Sequence, residues 1–206
     1  MSSKILYNDY YCRQIQNNFL KSFCYNLRLK TIIKLLKINS DDKILEIGAN
    51  TGEITKELMK LSNHIVGIDV NENAIKIANM PNVILMDAQK LDFKNNFFDK
   101  IASIHTIEHI PNIKKTLSEI DRVLKLGGQA AFIYPYEIFR GSSALIDAIK
   151  IYGNPIYARK LHVHKLNPRK IEKMIADTNL KIKKSGIFFE PVPAFYTLLE
   201  KYKSAN

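Results

Sequence analysis

Between residues 43 and 134, short apolar runs alternate with stretches of helical period, and this alternation restricts the fold more than any other feature. Lys43–Ile47 (KILEI), His64–Ile68 (HIVGI), Val83–Met86 (VILM), Phe98–His105 (FDKIASIH) and Gln129–Tyr134 (QAAFIY) read as buried strands. Helical patterns occupy about 53–61, 72–78 and 113–124; in the last, Ile113, Leu117, Ile120 and Leu124 share one face. Gly127-Gly128 is expected to end that helix. Strands alternating with helices predict an α/β chain with a doubly wound, mostly parallel sheet. Right-handed crossovers then gather the loops after strands one to four along one carboxyl edge, where such sheets hold ligands.

The flanks have another character. Residues 5–38 look helical, and residues 139–167 form an apolar, basic stretch after the fifth strand. In that stretch Leu145, Ile146, Ile149, Ile151 and Tyr152 stand beside Lys150, Arg159 and Lys160, which suits a lid able to lie on an anionic membrane surface. Pro168 is placed to open a helix with Ile171 and Ile175 on its buried face. Lys181–Phe189 reads as a late strand, broken by Pro191 and Pro193; Phe195–Tyr202 then reads as a short helix, so the sheet is expected to stop at six strands.

The expectation is one domain over residues 1–206: a helical extension (1–40), a core (41–136), the lid (139–167) and a closing helix, strand and tail (168–206). No run has the roughly 18–20 apolar residues of a membrane span, and no signal peptide is evident, which points to the cytoplasm, with peripheral contact at the inner face of the membrane. Cys12 and Cys24 fit no zinc or redox spacing. The net charge of +11 is unevenly spread. Residues 1–30 hold five basic side chains against one acidic, and residues 150–206 hold twelve against four, whereas the middle is neutral. Basic ends attract RNA, anionic lipid or an acidic substrate alike.

The chemistry gathers at the strand ends. The first strand runs into Glu46-Ile-Gly48-Ala-Asn50-Thr-Gly52, whose glycines permit a sharp turn and close approach of a ligand, with the turn's N–H groups expected to face it. Asp69, followed by Val70, ends the second strand 17 residues after Gly52, where an acid can accept both hydroxyls of a ribose. Asp87-Ala88 ends the third, suiting an exocyclic amine beside an apolar wall.

ILEIGANTG, GIDVN, MDAQKLDF, FDKIASIHTIEHI and EIDRVLKLGGQAAFIYP, in that order over about residues 40–136, resemble the class I S-adenosylmethionine-dependent methyltransferases. The resemblance implies a Rossmann-like fold and S-adenosyl-L-methionine as cofactor. It implies cofactor-binding roles for Glu46, Gly48, Asn50, Gly52, Asp69, Val70, Asp87, Ala88 and His105. Asn50 stands where the family more often has glycine. Glu108-His109-Ile110-Pro111 is similar to the E-H-(I/V)-P motif of ubiquinone-biosynthetic O-methyltransferases. In those relatives an acidic cluster is linked to a divalent metal, which would translate here to His105, Glu108 and His109.

His109 is the expected general base for a hydroxyl acceptor, because an imidazole can take a proton at neutral pH. His162 and His164 are alternatives. The acceptor is expected to be a small, amphipathic or isoprenoid-like molecule. RNA is a less favoured acceptor, since no N/D-P-P-Y/F sequence follows the fourth strand. Methylation of a protein or amine nitrogen, and a cofactor-binding module without turnover, are the other readings.

Overall fold

The computed structural model describes residues 19–190 and 192–203. Cys12, Pro191 and residues 5–18 of the expected first helix lie outside the described residues, as does the Ile151 side chain. In chain order the elements are α1 (Phe19–Leu36), β1 (Ile44–Ile47), α2 (Glu53–Leu58), β2 (Ile65–Asp69), α3 (Glu72–Ala78), β3 (Val83–Leu85) and β4 (Phe98–Ile104). They continue with α4 (Ile113–Val123), β5 (Leu124–Pro135), α5 (Leu145–Tyr152), α6 (Ala158–Leu161), α7 (Pro168–Met174), β6 (Leu180–Phe189) and β7 (Pro193–Lys201).

The strands form one seven-stranded sheet in the order β3-β2-β1-β4-β5-β7-β6. β1 to β5 are parallel; β7 runs antiparallel to both β5 and β6. Every residue of β1 is buried, because helices cover both faces of a parallel sheet. Leu29, Ile32 and Leu36 of α1 pack on one face. Ile113, Leu117, Ile120 and Val123 of α4, with Ile171 of α7, pack on the other. Local chemistry starts the helices where the chain turns back: Asn71 accepts from the amides of Asn73 and Ala74 ahead of α3, and Asn167 caps α7 with Pro168 at its first position.

Two expectations are corrected. Residues 193–201 are a strand, so the sheet has seven strands rather than six. β7 lies between two strands and is covered on both faces; its apolar run therefore lacks the alternation that separates strand from helix. Pro193 is tolerated as its first residue. Gly127-Gly128 does not end α4 either, for α4 stops at Val123 and both glycines lie inside β5. Gly127 there takes φ +74°, where the β4–β5 register shifts between Phe98 and Lys100.

Residues 139–167 fold as α5, a 3-10 turn at Pro155–Tyr157 and α6, around a small core of Ala144, Ala148, Ala158 and Leu161. No helix among the described residues is long and apolar enough to cross a membrane.

Candidate active site

β1 and β4 are neighbours, and the chain leaves β1 toward β2 on the opposite side, which opens a crevice at their carboxyl ends. A pocket of about 470 Å³ lies there; of the residues expected from sequence, Glu46, Gly48, Asn50, Asp69, Val70, Asp87, Ala88, His105 and His109 border it, and Gly52, Glu108, His162 and His164 do not. The turn after β1 is wound tightly: Gly48, Asn50 and Gly52 have φ of +86°, +47° and +79°. At Gly48 a Cβ would stand 1.9 Å from Thr106 Oγ1, so glycine is required by packing as well as by φ. Gly52 supports the turn from beneath, where a Cβ would meet Met80 Sδ at 2.9 Å.

Four amides of this turn bond within the fold. Gly48 and Ala49 both donate to Ile68 O, Gly52 donates to Ala49 O, and Asn50 donates to Asp69 Oδ2 at 2.9 Å. They fasten the turn to β2, since buried amides take the nearest acceptors. Asp69 also accepts from the Asn71 amide at 2.8 Å. Burial pushes its carboxyl up, against the pull of the Asn71, Asn50 and Val70 amides.

Glu46 is buried under the turn and accepts from Thr55 Oγ1. Burial, with the Asp69 charge adding, pushes its carboxyl up to about 7, against the Thr55 hydrogen bond. Val70 is exposed toward the pocket, Ala88 is buried, and Asp87 accepts from the Gln89 amide at 2.8 Å.

At the end of β4 His105 takes φ +49° and donates its amide to Ile133 O. Its Nε2 lies 2.7 Å from Glu190 Oε1 and its Nδ1 3.5 Å from Glu108 Oε1. Glu190 also accepts from Arg28 Nε of α1. Burial and the Arg28 charge oppose a proton on His105, yet the two carboxylates outweigh them and its pKa is raised. Glu108 is buried, and neither of its oxygens has a hydrogen-bond partner. Burial would raise its pKa, but His105, His109 and His162 outweigh that and pull it down to about 2.

His109 moves the other way. Burial leads, and its pKa falls although Glu108 and the Leu161 carbonyl favour the proton. Its Nδ1–H donates to Leu161 O, leaving Nε2 as the lone-pair nitrogen, 3.8 Å from Glu108 Oε1. His162 packs edge-on against it at 4.7 Å and donates Nδ1–H to Glu137. Ligand atoms of Glu108, His109 and His162 all lie within 4.8 Å of one another. Two imidazoles with fixed Nδ1 donors beside a carboxylate lacking hydrogen bonds form a donor set that fits a borderline divalent cation. His105 is not in this set, contrary to the translated motif, because Glu190 engages its ring.

Residues 45–132 match the model of the methyltransferase domain family. Over that segment the chain is similar to methyltransferases. The chain is 28% identical over 169 residues to the ubiquinone/menaquinone biosynthesis C-methyltransferase of Wigglesworthia glossinidia brevipalpis, covering 75% of this chain and 68% of that one. It is 30% identical over 122 residues to the demethylmenaquinone methyltransferase of Staphylococcus saprophyticus, covering 54% of this chain and about half (52%) of the relative. Among solved structures, the YcgJ protein of Bacillus subtilis superposes with a TM-score of 0.69 at 14% identity, over 87% of this chain and all (100%) of its own. A SAM-dependent methyltransferase of Methanosarcina mazei gives 0.62 at 19%, over 81% and 95%. These likenesses of shape confirm the Rossmann-like fold.

Sequence reasoning missed several residues of the pocket. Tyr25 and Arg28 of α1 border the pocket, and Asp147 and Lys150 of α5 close its far side. Glu190 joins α1 to the end of β4 across 162 positions, and no motif marks such a contact.

Proposed function

We propose that this domain transfers a methyl group from S-adenosylmethionine to a small, amphipathic acceptor bearing a phenol-like or other hydroxyl. The observation that carries the reading is the His109 imidazole, its Nδ1 held by Leu161 O, at the β4 border of the pocket. Asp69 would accept the ribose hydroxyls, Asp87 and Ala88 would take the adenine edge and face, and Glu46, Gly48 and Asn50 would hold the methionine end. Val70 and His105 would wall the cofactor, and Gly52 would keep the turn in shape.

In the reaction the acceptor oxygen attacks the methyl carbon in line with the departing sulfur. The new O–CH₃ bond forms as the S–CH₃ bond breaks, and its electron pair stays on sulfur, giving S-adenosylhomocysteine. The hydroxyl proton passes to Nε2 of His109. A divalent cation, when bound, would be held by Glu108, His109 and His162 and would lower the pKa of a hydroxyl on it, in place of the base role of His109. The name of the first relative, a C-methyltransferase, favours a second reading, in which the methyl goes to a ring carbon beside the hydroxyl. Loss of the same proton makes that carbon nucleophilic.

Incubation with labelled methyl donor and an extract separated into lipid, RNA and protein fractions tests the acceptor class. Label in the lipid-soluble fraction supports the reading; label confined to RNA or protein overturns it. Turnover on no fraction, with S-adenosylhomocysteine still bound, indicates a binding module.

The buried Glu46 provides a test by pH. Its carboxyl is held up to about 7 in the free protein, whereas the ammonium of a bound cofactor favours the ionised form. Binding therefore releases a proton, and S-adenosylhomocysteine affinity should rise severalfold between about pH 6 and 8. Glu46→Gln should flatten that rise in calorimetric titrations; an identical slope would separate Glu46 from the ammonium.

The reading includes peripheral contact with an anionic membrane through residues 139–167 acting as a lid. Ile138, Phe139, Ile146 and Ile156 are each 64–74% exposed, with Lys150, Arg159 and Lys160 also exposed nearby in sequence. Phe139→Glu with Ile146→Glu should reduce co-sedimentation with anionic vesicles about fivefold or more. Equal pelleting would remove the membrane from the reading.

A further inference from the structure

Just past β5, Glu137 is buried although it is a carboxylate. Its Oε2 accepts from the Gly141 amide at 2.8 Å, and its Oε1 accepts from Ser143 Oγ at 2.8 Å and from His162 Nδ1. These partners lie before α5 and after α6, so one side chain ties both ends of that helical segment to the end of β5. The tie is tight: Gly141 takes φ +85°, and a Cβ there would meet Ala158 O at 2.7 Å. Leu161, the neighbour of His162, offers the carbonyl that fixes His109.

We propose that Glu137 is a positioning residue that holds His162 as the Nδ1–H tautomer, leaving Nε2 as its lone-pair nitrogen and fixing it as the second imidazole beside Glu108 and His109. An imidazole has two tautomers of similar energy, and the partner of one nitrogen decides which is populated. A buried carboxylate can only accept, so it selects Nδ1–H; the Ser143 hydroxyl, 3.2 Å from the same nitrogen, already donates to Glu137. The consequence for turnover rests on the methyltransferase reading above. The tautomer does not.

Long-range ¹⁵N–¹H spectra of the imidazole nitrogens test this without an acceptor. The unsubstituted protein should show His162 as Nδ1–H, and Nε2–H there overturns the proposal whatever the variants do. In Glu137→Gln the amide can donate to Nδ1, so the Nε2–H form should appear. With a working acceptor, kcat should fall about tenfold while S-adenosylhomocysteine affinity and acceptor KM change less than about twofold. In a His162→Asn background, Glu137→Gln should lower kcat no further; an equal additional loss would show that Glu137 acts on stability alone and overturn the assignment. Correct spectra with no methyl transfer in any fraction would instead count against the function and leave the tautomer assignment standing.

Discussion

His109→Ala should lower kcat by about 10²–10⁴, or roughly 3–5 kcal/mol of transition-state stabilisation, while S-adenosylhomocysteine affinity moves less than about threefold. The asymmetry follows from where the ring sits. It stands after β4 with one nitrogen fastened to Leu161 O, whereas Asp69 and Asp87 lie at the ends of β2 and β3. Removing it takes away the proton acceptor and leaves those carboxylates in place. The truncation also deprives a carbonyl of its donor, so a thermal melt must accompany the kinetics. Three outcomes are distinct. Loss of kcat alone supports the base. A retained rate abolished by chelation transfers the work to a cation held without His109. A rate indifferent to both substitution and chelator means that the acceptor is a neutral amine, and the hydroxyl reading fails.

Asp69→Ala should weaken S-adenosylhomocysteine at least about tenfold by calorimetry, from an expected micromolar constant of roughly −8 kcal/mol. Oδ1 accepts from the Asn71 amide and Oδ2 from the Asn50 amide, and a carboxylate has further acceptor capacity for the ribose hydroxyls. Alanine removes both acceptors and also loosens the turn after β1. Asp69→Asn separates the two effects: it keeps the size and one acceptor oxygen, so it should fall between wild type and alanine. Unchanged affinity in the alanine variant would remove Asp69 from the site.

What the sequence reveals of this molecule depends on distance along the chain. α3 matches its expected bounds because its signals are local, an Asn71 cap followed by one turn after another of helix formers. β1 to β4 fall within a residue or so of expectation because each is a buried run closed by a turn. β7 was misread as helix because, covered on both faces, it shows no period of two. The cofactor edge is legible for the same local reasons, as its acids end consecutive strands. The other half of the pocket is not. His162 joins His109 across 53 residues, Glu190 joins His105 across 85, and neither stretch carries a spacing that chemistry would recognise. Of the three residues to which the relatives' metal-linked cluster translates, His105 has its ring engaged by a side chain from the β6–β7 connection, which no local signal marks.

That connection also bears on how the pocket is assembled. β7 pairs with β5 on one side and β6 on the other, yet it follows both in the chain, and β6 pairs with no other described strand. The sheet therefore cannot be laid down in the order of synthesis. β6 has no partner in the sheet until β7 exists, and the two form a hairpin whose β7 edge pairs with β5. Glu190 travels with it and only then reaches Arg28 and His105. A nascent chain can hold every recognisable motif in its finished conformation and still lack one wall of its pocket, so competence is delayed until the hairpin has docked.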